Sequence, residues 1–480
     1  MSTTYSVIGL GKLGASMAAG IAGRGYNVIG VDVSQRAVDL VNAGHAPVQE
    51  TKLEETIAAN RERIRATLSH RDAVLNSDLS FVIVPTPSDG RGAFSLQYAR
   101  WAFEEIGRAL SEKKGYHNVV LTSTVLPGST RYGLLPVLER HSGKVCGPDF
   151  GLCYSPEFIA LGSVIHDFLN PDFTLVGEYD DRSGRMLENC YAEFMENRPP
   201  CQRMSLENAE LTKVALNTFV TTKIAYANML AELCTMIPGG DVDVVSGALG
   251  LDKRIGRKYL TGGTGYGGPC FPRDNVALGF FAREVGSQAC LAETTDRLNR
   301  ASSAKLAQAL CALIPDNATV AILGLAYKPF SHVVEESQGI YLARELNACG
   351  LRVVAYDPLA KETARQELGD KALVLEDMDA CLQQAHAVLI TIPDPLFRAL
   401  EPNDFPVRMP KVVVYDCWRI LREKLGEAPH VRYFGLGLSA DDELRAARLK
   451  EMWGDAGGPE HSLIRPELER PAAGRLVPVR

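Results

Sequence analysis

A short apolar strand, Tyr5–Gly9, runs directly into Gly9-Leu10-Gly11-Lys12-Leu13-Gly14, and a helix of small residues follows over Leu13–Gly23. In that strand–turn–helix setting the first glycine makes the turn, the second admits a pyrophosphate, and the third lets helix and strand pack. The helix N-terminus then receives the phosphate charge. A second strand, Asn27–Val31, ends at Asp32, at about the ~20-residue offset such folds use. Its carboxylate accepts hydrogen bonds from an adenosine ribose and repels a 2′-phosphate. The pattern predicts NAD in preference to NADP, with Gly9, Gly11, Lys12, Leu13, Gly14 and Asp32 as cofactor residues. Arg36 lies nearby as a cation that favours a 2′-phosphate.

Further buried strands read at Ser80–Val84 and Asn118–Ser123, and Gly143–Glu157 and Phe173–Gly177 extend the region. Short apolar runs separated by helices predict a parallel sheet covered on both faces. From Ser205 the pattern changes. Ser205–Met236 has helical periodicity and few breakers, and Pro238-Gly239-Gly240 ends it. More helices follow to about Ile314. Strands then return at Thr319–Leu323, Arg352–Tyr356, Ala387–Thr391, Lys411–Tyr415 and Val431–Phe434, with a helix over Gly339–Cys349. This second parallel sheet reads as lacking the glycine fingerprint of the first. The expected class is α/β. Two Rossmann-like doubly wound parallel-sheet domains (residues 1–203 and 315–440) are joined by a central helical dimerisation domain (204–314), and 441–480 form an extension. Its Pro-, Arg- and Glu-rich end, Gly457–Arg480, reads as a mobile tail.

Several classes are disfavoured. A net charge of −7 argues against general nucleic-acid binding. No apolar run is long enough to span a bilayer, and no signal peptide is evident. The 11 cysteines show no CxxC pairing, so neither a metal site nor a disulfide framework is expected, and reduced thiols imply the cytoplasm.

The chemistry concentrates in Gly262-Gly263-Thr264-Gly265-Tyr266-Gly267-Gly268-Pro269-Cys270-Phe271-Pro272-Arg273-Asp274. With a helix read over Asn275–Glu284, Cys270 sits just before a helix N-terminus, where the macrodipole favours thiolate. Val84-Pro85-Thr86-Pro87-Ser88 and Ser123-Thr124-Val125 end strands at the carboxyl edge of the sheet, where ligands bind in such folds. Lys213 and Asn217 share one face of the long helix. The plain reading of that face is a solvated stripe with Glu210–Lys213 as an i,i+3 pair. Tyr154-Ser155-Pro156-Glu157-Phe158 closes the first region.

Over Tyr5–Gly437, the order of these motifs resembles the UDP-glucose/GDP-mannose dehydrogenase family. The resemblance implies a four-electron oxidation of the C6 alcohol of a nucleotide sugar, UDP-glucose first, to the uronic acid, using NAD. It implies Cys270 as nucleophile, Asp274 as its partner or a water-activating base, and Lys213 on the oxyanion. Asn217 would hold water or the oxyanion, Glu157 would be a base, and Thr124 would hold water. Pro85, Thr86, Pro87, Ser123, Thr124 and Arg273 would meet the cofactor. Glu157, Phe158, Lys213, Asn217, Arg254, Tyr259, Gly265, Tyr266, Gly267, Tyr327, Lys328 and Arg419 would meet the substrate, Arg254 in a neighbouring subunit of a homodimer or higher oligomer. The chain departs from the family at Leu161, which replaces a glutamate, and at Glu335, which replaces a cofactor-contacting arginine. In Asp416-Cys417-Trp418-Arg419 the arginine falls one residue late. Two other readings stay open: a two-electron β-hydroxyacid-type dehydrogenase, and a non-catalytic nucleotide-sugar-binding protein.

Overall fold

The computed structural model describes residues 3–159, 162–439 and 442–453. Leu161 and the tail Gly457–Arg480 lie outside them. The first sheet contains β1 (Thr4–Ile8), β2 (Asn27–Val31), β3 (Ile64–Thr67), β4 (Leu79–Val82), β5 (Asn118–Leu121), β6 (Gly151–Tyr154), β7 (Thr174–Glu178) and β8 (Cys201–Ser205), ordered β3-β2-β1-β4-β5-β6-β7-β8. Alternate residues feed two cores. Tyr5, Val7, Leu79 and Phe81 face one side of the sheet, and Ile8 and Val82 face the other. Burial on both faces is why these strands read as continuous apolar runs.

The sheet is parallel from β3 to β6, but β7 pairs antiparallel to β6, and β8 runs with β7. The expected parallel sheet is present from β3 to β6, with the β7–β8 pair reversed at its edge. The Val164–Leu169 helix between β6 and β7 packs Phe168 and Leu169 beside Gly20 of the first helix, within the core on that face of the sheet.

The second sheet, β9 (Thr319–Leu323), β10 (Arg352–Tyr356), β11 (Leu373–Val374), β12 (Ala387–Ile390), β13 (Val412–Asp416) and β14 (Val431–Gly435), is parallel throughout and ordered β11-β10-β9-β12-β13-β14. It also has a core on each face: Val320, Ile322 and Leu389 on one, Ala321, Leu323 and Val388 on the other.

This sheet does carry the glycine fingerprint, in split form. Gly9 turns at φ +101° with no room for a Cβ against the Ile83 carbonyl, and Gly14 packs on the Gly9 carbonyl. Gly324 turns at φ +106° against Thr391 and Ile392, and Gly339 packs on the Gly324 carbonyl. Asp357 ends β10 as Asp32 ends β2. Its Oδ2 accepts from the Leu325 and Ala326 amides at 2.8 and 2.9 Å. The loop between Gly324 and Gly339 separates the two glycines and hides the motif from a spacing search.

Between the sheets stand the helices Leu206–Thr235, Val242–Leu251, Phe271–Glu284 and Cys290–Cys311. Ser205 caps the first by accepting from the Asn208 amide at 3.3 Å.

Candidate active site

The Gly9–Gly14 turn fits a dinucleotide. Gly11 is the N-cap of the Lys12–Gly23 helix, has no side-chain cap, and opens onto free space where a Cβ would point. Unshielded amides at a helix start suit a pyrophosphate. Leu13 is half-buried beside them in the first helical turn. Asp32 braces the turn: Oδ2 accepts from the Leu10 amide and Oδ1 from the Ser34 amide, both at 2.8 Å. At the neighbouring strand ends, the Ser123 hydroxyl donates to the Val84 carbonyl at 2.7 Å and accepts from its amide at 2.9 Å. The Thr86 hydroxyl donates to the Thr124 carbonyl at 2.8 Å. These hydroxyls tie β4 to β5, while Pro85 and Pro87 stay exposed at the edge and Thr124 is half-buried.

A second group gathers where the long helix meets the glycine loop. The Lys213 ammonium donates to the Glu157 carbonyl at 2.6 Å and lies 4.7 Å from the centre of the Phe158 ring. Burial pushes its pKa down, opposed by Asp274, Cys270 and Glu157. Burial pushes Glu157 up to about 7, with Lys213 opposing. One turn along, Asn217 donates to Asp274 Oδ2 at 2.6 Å. Asp274 is only 1% exposed, and burial raises its pKa against Arg273, Asn217 and Lys213. Arg273 Nε stands 3.5 Å from Asp274 Oδ1, Nη1 donates to the Thr86 carbonyl at 3.3 Å, and the guanidinium carbon lies 4.6 Å from the centre of the Phe94 ring.

Cys270 is the N-cap of the Phe271–Glu284 helix, which begins four residues earlier than expected. Its surface reaches solvent, yet dense surroundings and Asp274 push the thiol above its ordinary pKa, and Arg273 and Lys213 offset this only in part. The helix start beside it favours thiolate, and the desolvation of its surroundings acts in the opposite direction.

Glu210 makes no pair with Lys213. It is fully buried and accepts from the Gly128 and Thr130 amides at 2.5 and 2.8 Å, which anchors the segment after Thr124 to the long helix.

The remaining expected substrate residues divide into four sets. Tyr327 and Lys328 adjoin the cluster, with the Tyr327 ring packed on Gly268 and the Lys328 ammonium 5.8 Å from that ring's centre. Burial lowers the Lys328 pKa against Asp167 and Glu50. Gly265, Tyr266 and Gly267 form the wall of the loop. Asn299 accepts from the Tyr266 amide at 2.8 Å and donates to its carbonyl at 2.9 Å, and Gly265 and Gly267 leave no room for a Cβ against Asn299 and the Glu336 carbonyl. Tyr259 and Arg254 are exposed, and Arg254 pairs with Asp252 at 2.6 Å, outside this cluster. Arg419 is a correction. Its five N–H groups are all spent on Asp243 and on the carbonyls of Cys417, Leu436 and Gly262, and its side chain is 2% exposed. It fastens β13 to the central helices and has no donor left for a ligand.

Sequence reasoning missed Asp357 and His332. The first was findable as an aspartate ending the second strand after a glycine turn. His332 carried no signal, since its partner Lys12 lies in another domain.

Two sheets of this order, a pyrophosphate turn and a lysine–aspartate–cysteine cluster between them define a dinucleotide-dependent dehydrogenase. Sequence models of the UDP-glucose/GDP-mannose dehydrogenase family match the NAD-binding domain over residues 3–195, the central domain over 207–301 and the UDP-binding domain over 321–423. The chain belongs to that family, whose members are NAD-dependent nucleotide-sugar 6-dehydrogenases. It is 34% identical over 425 residues to a UDP-glucose 6-dehydrogenase of Haloferax volcanii, covering 88% of this chain and 98% of that one. It is 32% identical over 412 residues to a GDP-mannose 6-dehydrogenase of Azotobacter vinelandii, covering 82% and 92%. The solved UDP-glucose dehydrogenase of Pyrobaculum islandicum superimposes with a TM-score of 0.81 at 33% identity, covering 92% of this chain and 98% of that one.

Proposed function

We propose that this dehydrogenase oxidises the C6 alcohol of UDP-glucose to the carboxylate in two successive two-electron steps, through a thiohemiacetal and a thioester on Cys270. The carrying observation is that Cys270 caps the helix whose first turn holds Asp274, the Asp274 amide donating to the Cys270 carbonyl at 2.9 Å, while Asn217, one turn from Lys213 on the long helix, donates to the Asp274 carboxylate at 2.6 Å. A two-electron alcohol dehydrogenase has no use for a thiol there.

NAD, held by the Gly9–Gly14 turn and Asp32, supplies the hydride acceptor at each oxidation. The chain's residues handle everything else. The Lys213 ammonium steadies the C6 oxygen as its proton leaves toward Glu157, whose pKa of about 7 suits it as a base. The Cys270 sulfur then adds to the aldehyde carbon. A C–S bond forms, the thiol proton passes to Asp274, and the oxygen keeps the pair of the former C=O bond beside Lys213. Oxidation of that adduct leaves the thioester. Water, held near Thr124 and Asn217, adds to the carbonyl, the C–S bond breaks, and the sulfur regains a proton. The aldehyde stays attached throughout.

UDP-glucose is favoured by the 34% identical relative, by the Pyrobaculum structure and by the Pro156-Glu157-Phe158 form of the base motif. We further propose a homodimer in the cytoplasm. Phe219, Tyr226, Met229 and Leu233 expose an apolar row on the long helix, suited to a second copy, and Arg254 is free of its own site to reach a neighbour. The test is a panel of UDP-glucose, GDP-mannose and UDP-N-acetylhexosamines followed by NADH absorbance. Two NADH per UDP-glucose with uronic acid as product is expected. Faster turnover of another sugar would reassign the substrate.

A further inference from the structure

Lys12 is the first residue of the helix that follows the pyrophosphate cradle, and its ammonium lies 3.0 Å from Nε2 of His332. Lysine has no acceptor, so it donates, and the His332 ring is neutral with its proton on Nδ1. His332 belongs to the second sheet's domain, in the loop between Gly324 and Gly339. That loop is held firmly. The His332 carbonyl accepts from the Thr363 hydroxyl at 2.8 Å, and Val333 accepts from the Tyr327 amide at 3.0 Å. Two nitrogens from two domains therefore meet at the side chain that directly follows the N-cap Gly11.

The surrounding charges are few. Lys12 faces His332 from the first helix, and Glu50 faces it from the segment before the Leu53–Ala59 helix. Lys328, on the same loop, shares Glu50 and also feels Asp167 of the Val164–Leu169 helix. On the helix that holds the His332 backbone, Lys361 pairs with Glu376 and Glu362 with Arg365. In the free protein, burial and Lys12 push the imidazole pKa below its ordinary value, with Glu50 opposing.

We propose that His332 and Lys12 form a two-domain cationic clamp on the NAD pyrophosphate, and that His332 takes up a proton from solvent when NAD binds. The diphosphate adds two negative charges beside a neutral imidazole and an ammonium. Once the oxygens face Lys12, its hydrogen bond to Nε2 is surrendered. Nε2 then gains the solvent proton and turns to the phosphate as a donor. The pKa of His332 rises on binding, so NAD affinity increases as pH falls through it. The clamp also seats the second domain's loop over the cofactor, and that loop carries Tyr327 and Lys328 and accepts from the Gly268 amide through Glu335.

The inference rests on NAD occupying the Gly9–Gly14 turn. The experiment is isothermal titration of NAD into the full-length protein without sugar, in two buffers of different ionisation enthalpy, at pH 6 and pH 8, for wild type and His332→Gln. Wild type is expected to take up a proton and to bind NAD on the order of threefold to tenfold more tightly at pH 6, since one pKa unit corresponds to a tenfold change. His332→Gln keeps an acceptor for Lys12 but cannot charge. It should match wild type at pH 8, lose the proton uptake and show no gain at pH 6, with the melting temperature of the free protein unchanged. Equal binding and equal proton uptake by the two proteins overturns the clamp and leaves the NAD site standing. Failure of wild type to bind NAD at all overturns the NAD reading and the clamp together.

Discussion

Asn217 holds Asp274 by one oxygen, Nδ2 to Oδ2 at 2.6 Å, and leaves the other oxygen without a hydrogen bond, 3.5 Å from Arg273 Nε. A buried carboxylate with one fixed and one free oxygen is aimed, and the free oxygen is the one able to take a proton. Asn217→Ala should lower stability by about 1–3 kcal/mol, the usual consequence of stripping a buried charge of a hydrogen bond. Turnover should fall on the order of 10²-fold through misplacement of Asp274. Urea melts and initial rates check both. Wild-type turnover in a well-folded variant would remove Asn217 from the mechanism.

Cys270→Ser is expected to abolish uronic acid while leaving the fold intact, because the residue reaches solvent and caps its helix without a side-chain hydrogen bond. Product mass spectrometry with NADH counting checks it: the yield should drop from two NADH per sugar to one at most. Full carboxylate formation at the wild-type rate excludes covalent catalysis.

Glu157 sets a pH dependence. Its carboxyl is raised from 4.5 to about 7 by burial, so the ionised, proton-accepting form appears only as pH rises through about 7. Turnover should climb through that range, and Glu157→Gln should lose both rate and climb. Stability runs the other way. Glu157 and Glu210 both bind protons more tightly folded than unfolded, so their contribution is complete below about pH 4.5 and disappears as pH rises through about 7. Melting temperatures of the ligand-free protein between pH 5 and pH 8 should decline, and less steeply in the two glutamine variants.

Glu335 is exposed, and its charge raises the Cys270 thiol pKa. Glu335→Arg reverses that charge. Alkylation of Cys270 by iodoacetamide near neutral pH should speed up, on the order of threefold, as the thiolate fraction grows. An unchanged rate would mean that solvent screens the carboxylate from the sulfur.

Arg419→Ala removes a guanidinium with every donor engaged. The expected loss is at least about 2 kcal/mol, from carbonyls and Asp243 left unpaired. Thermal denaturation reads it. A raised KM with an unchanged melting temperature would return Arg419 to the substrate.

Much of this was legible because β1, β2, β9 and β10 are short apolar runs with strong punctuation, and the bounds of β2, β9 and β10 fall where the pattern put them. Ile64–Thr67 escaped notice because an edge strand with alternating exposure carries Arg65 and Thr67 outward. The reversal of β7 has no local signature, since either direction buries Thr174–Glu178 equally. The Cys270 loop announced itself through its glycines. The thiol's raised pKa did not, because it depends on how closely Asp274 and the surrounding walls approach. Arg419 looked like a ligand residue only while its four partner residues, scattered from Asp243 to Leu436, were out of view.

The loop set between Gly324 and Gly339 belongs by chain to the second sheet, but two of its contacts reach the other parts of the chain: His332 on Lys12, Glu335 on Gly268. The two nucleotide-binding halves are therefore not interchangeable modules. A fragment ending before β9 retains every residue of the pyrophosphate turn and the cysteine itself, yet it lacks the cover over both. Each half can mutate freely on its outer faces, but a change in this one loop is felt simultaneously by a site it does not contain.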